Sequence, residues 1–236
     1  MSKVRLFFPK DKITDIILLR DKELLHKTNV VLALKRGEQI YLFDGYGAEY
    51  RYQITETNRK LVTLKKEAAE IISKEPQEKL TLAIPLLKEQ KIELILQKAV
   101  ELGVWNFQPF ISARSIQEKP SLNKKERWVK IIQEATRQSN RLWLAQINEI
   151  IDFDTLVKQD FTLKLVATIE GEKITDIAKE KYHKILLATG PEGDFSPQEY
   201  EKLKDNGFVF LKLSQNILRS ETASIFSAGL ISYLLA

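Results

Sequence analysis

Two stretches in the last fifty residues of the 236-residue chain set glycines, carboxylates and an arginine where a ligand could be held. The first runs Thr189-Gly190-Pro191-Glu192-Gly193-Asp194-Phe195-Ser196-Pro197-Gln198-Glu199. It leaves an apolar strand and enters a helix, with Ser196 as N-cap, Pro197 at the first helical position and Glu199 completing a capping box. Such a cap contributes about 0.5–2 kcal/mol, so it fixes the loop's exit as well as starting the helix. Gly190 and Gly193 let the backbone approach a ligand or take a positive φ. No Gly-Lys-Ser/Thr follows the glycines, and Glu192 and Asp194 would repel phosphate, which excludes a P-loop; the Gly-x-Gly-x-x-Gly dinucleotide fingerprint is missing too. Two acids beside such a loop suit a cationic or neutral ligand, and a sulfonium such as S-adenosylmethionine is compatible. The plainer alternative is an ordinary strand-to-helix loop with a well-made cap.

The second stretch, Leu213-Ser214-Gln215-Asn216-Ile217-Leu218-Arg219-Ser220-Glu221-Thr222-Ala223, also passes from strand to helix. Ser220 reads as the cap, with Glu221 well placed against the helix dipole. From Ile225 to Leu235 the helix is apolar on nearly every face, and Ala228 and Gly229 permit close approach. A helix of that kind must be buried, against a sheet on one side and with another side available to a partner subunit. Arg219 stands at the loop–helix junction, where a guanidinium can hold a carboxylate, a phosphate or a base edge. A structural pair with Glu221 or Glu192 is the alternative.

The elements that must position these loops are legible in the period of the apolar residues. Ile40–Phe43, Ala48–Ile54 and Leu61–Leu64 alternate around turns at Asp44–Gly47 and Thr57-Asn58, which suggests a small barrel or a strongly twisted sheet over residues 1–72. Ser73–Lys79 is polar and contains proline, as a linker would. From residue 80 to 236 the rhythm changes. Strands at 80–84, 105–111, 163–168, 184–188 and 208–211 alternate with helical stretches, one carrying Ile92, Ile95, Leu96, Ala99 and Leu102 before a stop at Gly103. That pattern predicts an α/β domain on a mainly parallel sheet.

At roughly 150 residues per domain, the length fits one large or two small domains. Hydrophobic residues at 44% and charged residues at 29% mark a globular chain. The absence of cysteine and the presence of only two histidines, His26 and His183, exclude disulfides, thiolate metal sites and cysteine nucleophiles, and no metal is expected. The opening MSKVRLFFPKDK is too short in apolar residues for a secretory signal, and no stretch reads as membrane-spanning, so a cytoplasmic protein is expected. Residues 1–75 carry 15 Lys/Arg against 11 Asp/Glu, and the window 119–141 is also basic. Two basic zones on a nearly neutral remainder point to a polyanion, or to solvated surface helices.

GPEGDFSPQE and LSQNILRSETA, in this order, resemble the ribosomal small-subunit methyltransferase E family, whose usual pattern is GPEGG-F-S followed by L-G-x-R-I-L-R-x-E-T-A. KIELILQKAVELGV (91–104), PFISARS (109–115), EATRQSNR (134–141) and the RLFF opening extend the resemblance over nearly the whole chain. Here Asp194 and Ser214 replace glycines, Asn216 an arginine, and Ala145 a common proline.

The resemblance implies an N-terminal barrel of the RNA-binding PUA class, a C-terminal SPOUT domain with a trefoil knot, and a homodimer. It also implies methylation of N3 of a uridine in 16S ribosomal RNA from S-adenosylmethionine. Carried over by motif, the cofactor residues are Thr168, Ile169 and Glu170; Thr189, Gly190, Pro191, Glu192 and Gly193; Leu213, Ser214, Asn216, Ile217 and Leu218; and Thr222 and Ala223. Arg219 and Glu221 are the catalytic candidates, Arg219 as a fixed cation. Glu221, Glu192 or a water accepts the N3 proton. Arg5, Lys10, Arg51, Arg114, Lys125, Arg137 and Arg141 are the expected RNA contacts, joined by Lys12 and Arg59. A second reading keeps the RNA-binding dimer without turnover.

Overall fold

The computed structural model describes residues 4–174 and 182–235; the outer limits of the expected domains, Met1 and Ala236, lie outside them. The chain divides into two compact units, Met1–Glu75 with Thr136–Leu144, and Pro76–Ala135 with Ala145–Ala236. The segment 136–144, assigned from sequence to the second domain, therefore clusters with the first.

In the first unit, β1 (Arg5–Phe7), β2 (Ile16–Leu19), β3 (Gln39–Phe43), β4 (Ala48–Thr57) and β5 (Val62–Ile72) form one sheet in the order β1-β3-β4-β5-β2. β1 runs parallel to β3, and the other neighbours are antiparallel. Period-two residues fill the core: Ile40, Leu42, Tyr52, Ile54, Val62 and Leu64 are fully buried or nearly so. Among the described residues no ladder joins β1 to β2, so the sheet is an open path, the second of the two forms the sequence suggested and not the closed barrel. Both end strands are short, which limits the exposed edge. The Asp44–Gly47 turn is tied down at its start, because Asp44 Oδ1 accepts the N–H groups of Tyr46 at 2.7 Å and Ala48 at 3.0 Å. Gly47 has φ +95°, and a Cβ there would fall 2.6 Å from the Trp143 ring, so this turn and the segment 136–144 pack with no side chain between them.

Arg5 anchors the same segment. Its side chain is 4% exposed and pairs with Glu49, which is 1% exposed. Nη1 donates to the Arg137 carbonyl at 3.0 Å and to Asn140 Oδ1 at 3.3 Å, and Nη2 donates to the Arg141 carbonyl at 3.0 Å. The expected RNA contact at Arg5 is therefore corrected: its donors are consumed inside the unit, and no phosphate can reach them.

The second unit holds β6 (Lys79–Pro85), α2 (Glu89–Glu101), β7 (Asn106–Ile111), α3 (Leu122–Gln138, whose last residues fall in the first unit), β8 (Gln146–Ile147), β9 (Ile151–Asp152), α4 (Phe153–Val157), β10 (Leu163–Thr168), β11 (Lys184–Ala188), α5 (Pro197–Asp205), β12 (Val209–Lys212) and α6 (Ser220–Leu235); α1 (Lys22–His26) belongs to the first. The strand order is β12-β10-β11-β6-β7, with β8 and β9 both on β7, and every pair is parallel. α2 buries Ile92, Ile95, Leu96, Ala99 and Val100 on one stripe and ends at Gly103, φ +96°. α6 packs on β6, β10, β11 and α2. A Cβ on Gly229 would lie 3.3 Å from Leu102, the close approach its sequence predicts.

Removing one member of a buried ion pair strands the other, at a cost of about 3–5 kcal/mol. Arg5→Ala is expected to lower unfolding stability by about that amount through Glu49. Urea unfolding should show the loss, and the double substitution Arg5→Met with Glu49→Leu should recover most of it.

Candidate active site

Strand pairing decides where the two C-terminal loops meet. β12, β10, β11 and β6 are consecutive neighbours in a parallel sheet, so the chain leaves all four at the same edge. Ligands in open parallel sheets bind outside those carboxyl ends. A cavity of about 400 Å³ lies there, lined by Ala167, Thr168 and Ile169 at the end of β10, Gly190, Pro191, Glu192 and Asp194 after β11, Leu213, Ser214, Asn216 to Ser220 and Ala223 after β12, and Lys91 from α2. That volume lies within the range of about 300–1,000 Å³ usual for small-molecule sites.

The loop after β11 is held at both ends. Phe195 is 2% exposed and sits among Phe110, Phe153 and Tyr200, with ring centroids 5.6–6.3 Å away. The capping box forms as the sequence predicts: Ser196 Oγ accepts the Glu199 N–H at 3.2 Å, and Glu199 Oε2 accepts the Ser196 N–H at 2.8 Å. Glu199 Oε1 also accepts the Ala113 N–H at 2.8 Å, which fixes the neighbouring loop after β7. Arg114 from that loop donates to the Gly193 carbonyl at 2.8 Å. Asp194 adopts φ +60°, a region Asp tolerates better than most residues. Its carboxylate accepts the Phe195 N–H at 2.8 Å and, on both oxygens, the Tyr200 hydroxyl at 2.8 and 2.9 Å. Burial first, and then the Asp194 hydrogen bond and charge, push the Tyr200 phenol well above its usual range.

Ser220 does not act as the cap. It opens α6, and its hydroxyl donates to the Gly190 carbonyl at 2.6 Å, joining the two signature loops directly. One turn on, Ser224 Oγ lies 2.8 Å from Thr189 Oγ1 and donates to the Ser220 carbonyl. Ser214, in place of glycine, makes its own turn, with Oγ accepting the Asn216 N–H at 3.0 Å.

Of the expected cofactor residues, Thr168, Ile169, Gly190, Pro191, Glu192, Leu213, Ser214, Asn216, Ile217, Leu218 and Ala223 line the cavity, as does Arg219. Four do not. Glu170 faces a neighbouring cavity, Thr189 is buried against Ser224, Gly193 lies under Arg114, and Thr222 is exposed beyond the lining. Ala167, Ser220 and Lys91 line it without having been singled out as ligand residues, and so does Asp194, which the sequence marks only as one of two acids suited to a cation. Lys91 opens the KIELILQ motif, a signal that marks the helix and assigns its first lysine no role.

Lys91 Nζ lies 3.0 Å from Glu192 Oε1 and 2.9 Å from Glu221 Oε2. Pairing with Glu221 and then Glu192 raises the Lys91 ammonium above its ordinary range. Burial works to raise the Glu221 carboxyl, but Lys91, a backbone N–H and the charge of Arg219 together hold it below the usual value. Glu221 is thus a committed ion-pair partner, not the uncommitted proton acceptor that was one of the expectations.

The remaining basic candidates separate by their partners. Lys125 pairs with Glu149 at 2.5 Å and Arg51 with Glu67 at 2.8 Å. Burial lowers the Arg141 guanidinium to about 10, and the Arg137 carbonyl is taken by Arg5. Lys10, Lys12, Arg59 and Arg114 are exposed, with Lys10 5.6 Å over the Tyr46 ring.

Comparison with known proteins agrees with this architecture. Residues 73–232 match the RNA methyltransferase domain family. The chain is 31% identical to the ribosomal RNA small subunit methyltransferase E of Synechocystis sp. over 98% of this chain and 78% of that one, and 32% identical to that of Bacillus subtilis over 90% and 88%. It is also similar to the crystal structure of a ribosomal RNA small subunit methyltransferase E from Neisseria gonorrhoeae bound to S-adenosyl methionine, at 26% identity and a TM-score of 0.89 over 99% of this chain and 98% of that one. With motif order, parallel sheet and loop geometry in agreement, the chain belongs to the ribosomal RNA small subunit methyltransferase E family of RNA methyltransferases.

Proposed function

We propose that this protein methylates N3 of a uridine in 16S ribosomal RNA, with S-adenosylmethionine as methyl donor. The cavity at the carboxyl ends of β12, β10, β11 and β6 carries the proposal. Its walls fit the donor. Ile169, Pro191, Leu213, Ile217 and Leu218 offer apolar contact, and the carboxylates Glu192 and Asp194 suit a sulfonium. Gly190 keeps the wall clear, since a Cβ there would meet Asp194 Oδ1 at 2.8 Å. The bound donor supplies an electrophilic methyl group whose sulfur leaves as a neutral thioether, so no oxyanion hole is required.

The protein's part is alignment, which can contribute roughly 7–11 kcal/mol when reactants are held in line. Arg219 stays protonated and stands exposed at the cavity rim, where it can face a uracil carbonyl and stabilise the imide anion that forms as N3–H is lost. Lys91 engages both Glu192 and Glu221, so the acceptor that breaks no ion pair is water. A paired uridine must first be extruded, at a cost of about a few kcal/mol, which contacts to flanking RNA offset. Lys10, Lys12, Arg59 and Arg114 are the best placed for phosphate. The remaining parts of the proposal are a PUA-like first unit, a knotted SPOUT second unit and a cytoplasmic homodimer. Phe226, Tyr233 and Leu234, exposed on α6, support the dimer.

Methyl at N3 blocks the pairing edge, so small subunits treated with protein and donor should give a reverse-transcription stop opposite one uridine. RNA binding with neither donor binding nor a stop would instead support the RNA-binding dimer that lacks turnover, which has no reason to keep donor affinity. Arg219→Ala should lower turnover about 100-fold, the scale of one lost transition-state donor, with donor Kd within about twofold; equal loss of both would reject its role. RNA affinity should fall steeply with salt, and the Lys10→Ala, Arg114→Ala double variant should flatten the slope by about two phosphate contacts.

A further inference from the structure

Lys91 bridges two carboxylates that come from different loops and are otherwise adjacent like charges. Glu192 belongs to the loop after β11, Glu221 to the first turn of α6, and Lys91 to the first turn of α2 after β6. The Glu221 side chain is 13% exposed and Lys91 26%, so the link is partly shielded, while Glu192 at 49% is open to solvent. The other acids on this end of α2 are engaged elsewhere: Glu89 faces Lys124 at 3.3 Å, and Glu93 pairs with Arg127. Two further charges of the described residues lie by the clamp: Arg219, which acts on Glu221, and Asp194 on the cavity wall, which is held by Tyr200.

We propose that Lys91 is a positioning residue that closes the donor cavity by clamping the Glu192 loop to the start of α6. This rests on the reading of the cavity as the donor site. Without the ammonium, Glu192 and Glu221 face each other as two carboxylates. Two such groups in one site cannot both ionise freely, so one retains a proton to higher pH. A shared proton then does part of what Lys91 does. At alkaline pH the pair repels and the loop is pushed from α6, whereas at mildly acidic pH it is drawn back. In the native protein the clamp is an ion pair throughout that range, because Lys91 is shifted up and Glu221 down.

The test is calorimetric titration of S-adenosylmethionine into the full chain at pH 5.5 and pH 8, each variant being compared with wild type at the same pH. Lys91→Met should weaken binding about tenfold at pH 8 and at least threefold less than that at pH 5.5. Lys91→Arg should stay within about threefold of wild type at both. Lys91→Met combined with Glu221→Gln removes the repulsion, so it should regain most of the affinity at pH 8 and lose the pH dependence. A Lys91→Met variant that binds like wild type at pH 8, or is weakened equally at both pH values, overturns the clamp and leaves the donor site standing. Wild-type protein that binds no donor overturns both. A Lys91→Met chain that fails to fold hands the decision to the double variant: donor binding equally weak at both pH values there rejects the clamp.

Discussion

Parallel register is the constraint on which the site depends. Ala188 of β11 sits beside Ala83 of β6 and Val166 of β10, and Thr168 of β10 sits beside Lys212 of β12. The loops that follow these residues must therefore emerge together. A two-residue slip of β11 would move Gly190 by about 6.6 Å at 3.3 Å per residue. That displacement far exceeds the 2.6 Å hydrogen bond from Ser220 to the Gly190 carbonyl, so the slip would separate the loops altogether. It would also turn the buried Leu187 and Ala188 out of their ladder, which couples the site to the core.

Two arginine–carboxylate or lysine–carboxylate groupings in this chain show how burial separates structure from chemistry. Arg5 and Glu49 are sealed off, and both terminal nitrogens of Arg5 donate to carbonyl or amide oxygens of residues 137–141. Nothing remains to offer a ligand. Lys91 and Glu192 line a cavity and are partly open to solvent, and Glu221, more shielded, pairs with Lys91 behind it. One ammonium against two carboxylates leaves an excess negative charge in this grouping at the cavity's edge, with Arg219 and Asp194 on the lining adding one charge of each sign. A sulfonium enters such a cavity without the repulsion that a phosphate would meet.

How much of this could be read from sequence follows the range of each interaction. Alternation along β3 and β4, the Ser196 capping box and the Gly103 stop depend on neighbours a few residues away, and each is visible in the chain. Ser220 looks like a cap because Glu221 follows it, yet its hydroxyl is claimed by a carbonyl thirty positions earlier. Lys91 is separated from Glu192 and Glu221 by more than a hundred residues, and no local pattern joins them. Counting charges placed Arg5 in a basic zone, but counting cannot show Glu49 beside it. Segment 136–144 continues a helix of the second unit, and only the contacts at Trp143 and Arg5 reveal that it belongs to the first.

The departures from the family pattern test whether the loops keep their path. At position 194 glycine is usual because φ is positive, and an ordinary side chain there would be strained. Aspartate meets that cost by accepting the N–H of the following residue, Phe195, and the Tyr200 hydroxyl, shared between its two oxygens; Tyr200 belongs to α5, whose start is fixed by the Ser196 cap. At position 214 serine closes its turn onto the Asn216 amide, so the chain bends without glycine's freedom. Both substitutions therefore bring their own restraints. They stiffen the two loops around the cavity while leaving the Ser220-to-Gly190 link intact, and the geometry that would align a methyl donor with its target is kept by different bonds.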